Sequence, residues 1–563
     1  MPEHLLVLGD ELESVLTAVS AAELGVPVTL ARRSTGMLGG LSTRGGLCYM
    51  DITPAYVPPM MRRFFDRIGF KRVALVPERA GQAMADMLDE AGVSVLSGVR
   101  PETLRYEPNT GLYTLALAEI DQSRKAQVKP YASGKEREKL SLIEDASAPR
   151  TDAPRTDEGH LLSKTYTHVI DATPDADAAR ALGIPYIEGL GEVFGEEQNF
   201  LGISPVFRVR GVDWQEFRQF EEMLRLHPKM PEWMMAALPQ QSPEKILDMI
   251  DQPAYIADNK AELDYLDVLN PAIGIYYHVW RGRKPEDYPN AEIVVDGFNI
   301  ALLPDGHKTD AMSLNGMVAR LSPASDNFET LLAYSHGKPC PDFLNDELAA
   351  FERFLKEAGG FAKAVVEVPE ELYVRQTCTL LAKDNMTAEK AIRGGVSEEK
   401  AIGTYSYWLD LRGTELWKHY PGEYLPKPVF NVGLDVALPL FADASYGYPE
   451  NFAFVGRSAG YSPIAQGVGR IVQHNAMLGE AIGIACALSM VGHTPLSAVC
   501  ETQVPQVKAI LDTRNGSEIS IEGRSVWDDA KISKSVVLKA DREALERLRQ
   551  RATMVIESSV FAP

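Results

Sequence analysis

The residues best suited to chemistry lie near the start of the chain. Residues 5–34 read LLVLGDELESVLTAVSAAELGVPVTLARRS: an apolar run, Gly9, an amphipathic stretch, Gly25 and a second apolar run. A strand–glycine–helix unit lets backbone approach a pyrophosphate while the helix N-terminus supplies N–H groups and positive potential. Only the first of the three glycine positions of such a loop is kept, as Gly9; the second is Glu11 and the third Ser14. Ser14 is small enough for close helix–strand packing, but Glu11 puts a carboxylate beside any phosphate received there. The unit therefore reads equally as a dinucleotide site or as a βαβ unit without ligand. Arg32-Arg33-Ser34 stand where an acid would bind a ribose 2′-hydroxyl. Arginines there suit a 2′-phosphate, which points to NADP, or else form a basic surface loop. They are also expected to compensate the Glu11 charge, either by pairing with it or by contacting the cofactor. Next comes GMLGGLSTRGGLC, with Gly36, Gly39, Gly40, Gly45 and Gly46. So many glycines after the second strand make a loop able to wrap a ligand closely.

These residues need a frame. Leu12, Val15, Leu16, Val19 and Ala22 share one helical face, and ERAGQAMADMLDE predicts a helix before AGVSVLSG, a third strand. The alternation implies α/β architecture with a parallel sheet. ETLRYEPNTGLYTLALAEI then predicts a hairpin about Pro108–Gly111. Residues 121–163, with the tandem APRTDAPRTD, are too polar to offset their ordering entropy and are expected to form a mobile insertion. Deleting residues 146–157 is accordingly expected to leave the melting temperature almost unchanged; a large drop would mean the segment is packed. VIDATPDADAARALGI returns to strand and helix, and NFAFVGR and GVGRIVQHNAMLGEAIGIACALSMVG give a late strand and a long buried helix.

The bulk numbers narrow the class. A chain of 563 residues exceeds one ordinary core. Its net charge of −21 disfavours nucleic acid as a partner. Five scattered cysteines, none at metal-ligand spacing, imply no metal site and a reducing compartment. The opening MPEHLLVLGD has no basic region before its strand, so a cytoplasmic location is expected. The apolar stretch AIGIACALSMVG is too short to span a bilayer.

Taken in order, GMLGGLSTRGG, VIDATPDADAARALGIPY, LYVRQTCTLLAKDNMTAEKAI, NFAFVGRSAG and GVGRIVQHNAMLGEAIGIACAL resemble segments of the FAD-dependent oxidoreductases of the glutathione-reductase-like fold. The closest similarity is to the bacterial branch with a GFLGG-type loop. The resemblance implies a Rossmann-like FAD/NAD(P)-binding domain assembled from separated segments, with an inserted α+β substrate domain. The FAD domain would take residues 1–120, 164–186 and 430–515, the substrate domain 187–429, and a tail with an amphipathic helix 516–563. By the same resemblance Gly9 and Ser14 would lie at the pyrophosphate. Gly39, Gly40 and Leu41 would lie near ribityl and phosphates, Ala172 and Thr173 by the ADP half, and Gly456 and Arg457 at pyrophosphate and ribityl. Gly479, Ala481 and Gly483 would pack the last helix closely. Glu11, Arg32, Pro174 and Ala176 depart from the pattern, all on the adenosine–pyrophosphate side.

Catalytic candidates are few. His474 sits near the start of the last helix and is placed to lie over a flavin or to be a satisfied helix histidine. Tyr461, Arg375 and His278 are substrate-contact candidates by position, and Arg470 either binds an anion or holds the helix. Cys48 and Cys378 form a redox pair or are inert buried thiols. Three readings follow: an FAD-dependent oxidoreductase passing a hydride between a small organic substrate and flavin; a non-enzymatic homologue or partner subunit, in a homo- or hetero-oligomer, that keeps the fold without FAD; and an NADP-binding protein using Arg32 and Arg33.

Overall fold

The computed structural model describes residues 4–48, 50, 52, 56–69, 75–107, 109–119, 162–194, 201–237, 242–244, 247, 266–290, 293–303, 311–319, 342–376, 378–411, 420, 423–441 and 449–560. The tandem repeat lies outside them.

Strand β1 (Leu5–Leu8) is buried along its whole length. An uninterrupted apolar strand of this kind belongs inside a parallel sheet covered on both faces. It pairs in parallel with β2 (Val28–Arg32) on one side and with a strand at His168–Asp171 on the other. The sheet has five strands, ordered 452–454, 168–171, β1, β2 and β3 (Ser94–Ser97), a Rossmann-like arrangement. Helix α1 (Leu12–Ala22) covers it, but its second face is not solvated: Glu13, Ser14, Thr17 and Ser20 are buried too. The cover is the helix Val472–Gly492. A Cβ at Gly479 would lie 2.7 Å from Thr17 Oγ1 and 2.8 Å from the Glu13 carbonyl, and one at Gly483 would lie 2.5 Å from the Thr17 carbonyl. The two glycines let one helix sit directly on the other.

The expected hairpin is part of a three-stranded antiparallel sheet, Val99–Glu107, Leu112–Glu119 and Leu162–Tyr166. Its third strand begins inside the span 121–163 assigned to the polar insertion, so residues 162 and 163 are strand.

A second hydrophobic core is built from residues between Ile203 and Val374 around a seven-stranded sheet. Residues from Cys378 to Leu438 return to the first core, as do Leu538, Leu545 and Leu548 of the C-terminal helix Val536–Val560. That helix is pinned by Asp541, which accepts from the Ser462 hydroxyl at 2.5 Å, Ile464 N–H at 2.9 Å and Ala388 N–H at 3.1 Å.

The helix Val472–Gly492 corrects the expectation of a short apolar segment. At 21 residues it is long and apolar enough to cross a membrane by length and composition, and 83% of its most apolar window is buried inside the fold. Gln473, His474, Asn475 and Glu480 interrupt its apolar sequence, yet all four are buried within the molecule.

Candidate cofactor cleft

At the end of β1, Gly9 has φ +133°, and a Cβ there would meet the Ala172 carbonyl at 2.4 Å. Only glycine fits where the two chain segments approach so closely. Glu11 follows as the N-cap of α1, with extended backbone and no side-chain bond to its own helix. The Ser14 hydroxyl turns back to donate to the Glu11 carbonyl at 2.6 Å. The glycine loop lies over this turn: Gly39 N–H donates to the Asp10 carbonyl at 2.7 Å, and Gly39 and Gly40 both have positive φ.

The Glu11 carboxylate occupies the centre of the arrangement. Arg457 approaches one oxygen at 3.0 Å, and Leu41 N–H donates to the other at 3.4 Å. A Cβ at Gly40 would lie 2.9 Å from the Glu11 carboxyl carbon, so the loop is packed onto it. Arg457 also donates to the Val374 carbonyl. A guanidinium and a backbone N–H converging on one point form a donor set for an anion. Gly456, with φ +91°, faces Glu13: a Cβ there would lie 2.9 Å from a Glu13 carboxyl oxygen.

Around this point lies a narrow cleft open to solvent at its mouth. Gly9, Glu11, Leu41 and Arg457 line it together with Arg33, Ser34, Val99, Thr173, Pro174 and Asp177. Asp171 shapes the Thr173 part of that lining. Its carboxylate accepts from Thr173 Oγ1 at 2.6 Å, Thr173 N–H at 3.0 Å and Ala179 N–H at 2.8 Å. Ala176, where the family pattern has glycine, keeps a left-handed backbone at φ +57°.

Arg32, at the end of β2, and Arg33, just after it, do not pair with Glu11, which corrects the first of the two expected routes. Arg32 turns inward, donating to Ser97 Oγ at 2.9 Å with Asp10 at 3.7 Å. Arg33 pairs with Asp177 at 2.7 Å. The sequence reading also missed a latch. Arg44, the one cation of the glycine loop, bridges Asp10 at 2.7 Å and Glu371 at 2.6 Å. Arg44 was visible as a charge among glycines; Glu371, 327 positions away, gave no local signal.

The catalytic candidates lie apart from the cleft lining. His474 is hydrogen-bonded through Nε2 to the Tyr461 hydroxyl, packs against the Tyr405 ring at 4.9 Å, and burial pushes it down to about 3. It is a neutral imidazole held in the core. Arg375 is buried, donating to the Gly202 carbonyl at 2.6 Å and Ser204 Oγ at 2.9 Å, with its guanidinium 4.3 Å over the Tyr373 ring. Arg470 meets the hydroxyl of the same tyrosine and pairs with Asp410 at 2.6 Å. His278 belongs to the second core, accepting from Val295 N–H at 3.1 Å. Cys48 and Cys378 are both buried, and burial pushes the Cys48 thiol up to about 11. Ala172 and Ala481 are buried, and Gly479 contacts α1.

The acids of the site have a consequence for stability. Burial, then the Glu11 charge, pushes Glu13 up to about 8; burial raises Glu371 and Glu480 to about 7. A carboxyl with a raised folded pKa contributes stability that is complete below its unfolded value and lost as pH rises through the folded one. Burial lowers His168, His278 and His474, whose contribution is lost only below about 6.5. Between pH 6.5 and 8 the carboxyls alone act, so stability falls with rising pH. One retained proton is equivalent to about 1.36 kcal/mol per pH unit, hence about 2 kcal/mol over this window for Glu13. Thermal melts should show that fall, and Glu13→Gln should flatten it. A melting temperature that is constant or rises from pH 6.5 to 8 would contradict the assignment.

Residues 4–128 and 156–511 match the family described as FAD dependent oxidoreductase. No curated protein matches the chain. Among solved structures, the aromatic hydroxylase CabE from angucycline biosynthesis aligns over 100% of this chain and 77% of its own, at 10% identity and TM-score 0.38. CtdE, solved with FAD and a substrate, aligns over 98% of this chain and 100% of its own, at 9% identity and TM-score 0.37. The flavin-dependent monooxygenase PieE, also solved with FAD and substrate, aligns over 98% and 72%, at 10% identity and TM-score 0.35. With the family matched over most of its length, the chain belongs to the FAD dependent oxidoreductases, and its cofactor is FAD.

Proposed function

We propose that the protein exchanges a hydride between a small organic substrate and FAD held in the cleft at the end of β1. The observation that carries this reading is the grip of Arg457 and Leu41 N–H on the Glu11 carboxylate, an anion-receiving point beside three glycines. The donor set fits a pyrophosphate once that carboxylate moves aside. Bound FAD supplies the two-electron chemistry; the protein binds, orients and shields.

In this reading Arg457 and Leu41 N–H hold phosphate oxygens, and Gly9, Gly40 and Gly456 let backbone come close. Arg33, Ser34, Thr173, Pro174 and Asp177 receive the adenosine half, with the Asp177 carboxylate offering an acceptor for a ribose hydroxyl. Leu41, Val99 and Leu372 keep water from its apolar parts. The Arg44–Glu371 pair ties the glycine loop to the strand region leading from the second core, and so holds the cleft wall in place. The second core, residues 203–374, falls within the proposed substrate domain 187–429.

The test is reconstitution. Protein incubated with FAD and freed of excess should carry a flavin spectrum at close to one per chain. Under anaerobic conditions that spectrum should bleach with some member of a panel of small alcohols, amines and hydroxy acids. A protein that stays colourless after reconstitution would overturn the reading in favour of a homologue without FAD.

A further inference from the structure

Glu11 is the cap residue of α1, yet its carboxylate reaches away from the helix to Arg457 and Leu41 N–H. Among the described residues Arg457 has no other carboxylate partner within ion-pair distance. The charged and titratable groups facing Glu11 are Arg457 from the loop after strand 452–454, Asp10 and Glu13 from its own segment, Arg44 from the glycine loop, and Glu371, which Arg44 holds. Asp10 is already engaged by Arg44 and Arg32, and Glu13 lies against Gly456. The carboxylate thus stands in for a phosphate at the point where the family's pyrophosphate is received.

Resting on the FAD reading above, we propose that Glu11 is a resident anion of the cradle, and that FAD loads by displacing its carboxylate with uptake of one proton. The geometry requires the coupling. Glu11 cannot leave the cap of α1, so its displaced side chain stays beside the incoming phosphates without its Arg457 partner. Like charges in a cleft of low dielectric repel strongly, and a proton from solvent on a carboxylate oxygen removes the repulsion. No covalent bond of the cofactor forms or breaks. Burial already pushes Glu11 up from the ordinary carboxylate range, against the pull of Arg457. Glu13, at about 8, enters the event holding its proton and is not the group that takes one up at neutral pH.

The experiment is calorimetric titration of apo-protein with FAD at three pH values between about 6 and 7.5, each in two buffers of different ionisation heat, for wild type and Glu11→Gln. Glutamine keeps the size and an acceptor oxygen but carries no charge. Wild type should take up close to one proton, and its Kd should weaken roughly tenfold per pH unit. Glu11→Gln should take up far less and bind roughly tenfold more tightly, or better, at the highest pH. Equal Kd and equal uptake in the two proteins would overturn the displacement while leaving FAD binding intact. No binding by either protein at any pH would overturn the FAD reading, and the proposal with it.

Discussion

Arg457→Ala is expected to weaken FAD binding by roughly a hundredfold or more and to destabilise the protein in the same step. Two unit charges about 4 Å apart attract by about 4 kcal/mol at an effective dielectric of 20, which sets the scale of the loss at the phosphates. The stability loss has a separate cause. Both side chains of the Arg457–Glu11 pair are only 11% exposed, and removing one partner of a buried pair costs about 3–5 kcal/mol. The double variant Glu11→Gln with Arg457→Ala separates the two effects. It should recover most of the melting temperature but not the FAD affinity. Fluorescence titration and thermal melts read these outcomes, and wild-type FAD affinity in Arg457→Ala would remove that arginine from the site.

The second large effect belongs to Gly479→Leu. Here the obstruction is backbone as well as side chain. The first added carbon would already lie 2.8 Å from the Glu13 carbonyl and 2.7 Å from Thr17 Oγ1. Glu13 sits in the first turn of α1, two residues after the cap that carries the Glu11 carboxylate. Overpacking costs about 1–3 kcal/mol or more, and in this place it pushes the start of α1 away from the glycine loop. We expect a lower melting temperature together with weaker FAD binding. Gly479→Ala should move both in the same direction by less. A Leu variant with native melting behaviour would mean the two helices are free to separate.

Much of the fold was legible because it is written locally. The apolar run of β1, Gly9, the periodicity of α1 and the second apolar run are enough to specify a βαβ unit, and the family's segments appear in order along the chain. The parts that were not legible depend on distant partners. Glu11 read as a liability beside a phosphate because the arginine that neutralises it lies 446 positions away. Arg32 and Arg33 were the nearest cations in sequence, yet each had a closer partner in space, Asp10 and Asp177. The long helix was legible as buried, but not the burial of its polar residues: Gln473, His474, Asn475 and Glu480 are polar by type and buried by position. Glu480 shows why: it accepts from Met60 N–H at 3.1 Å and pairs with Arg514 at 3.3 Å, partners that no local pattern announces. His474 stood out as a catalytic type, and the structure buries it against Tyr461 and Tyr405, partners that its place in the sequence did not announce.

A crystal structure of the protein grown with FAD decides whether the cofactor lies between Gly9, Leu41 and Arg457, as we propose. The pyrophosphate is expected within hydrogen-bond distance of Leu41 N–H and the Arg457 guanidinium, the adenosine between Arg33 and Pro174, and the Glu11 carboxylate turned out of the cradle. FAD bound elsewhere on the chain, with the Glu11–Arg457 pair still closed, would contradict the proposal.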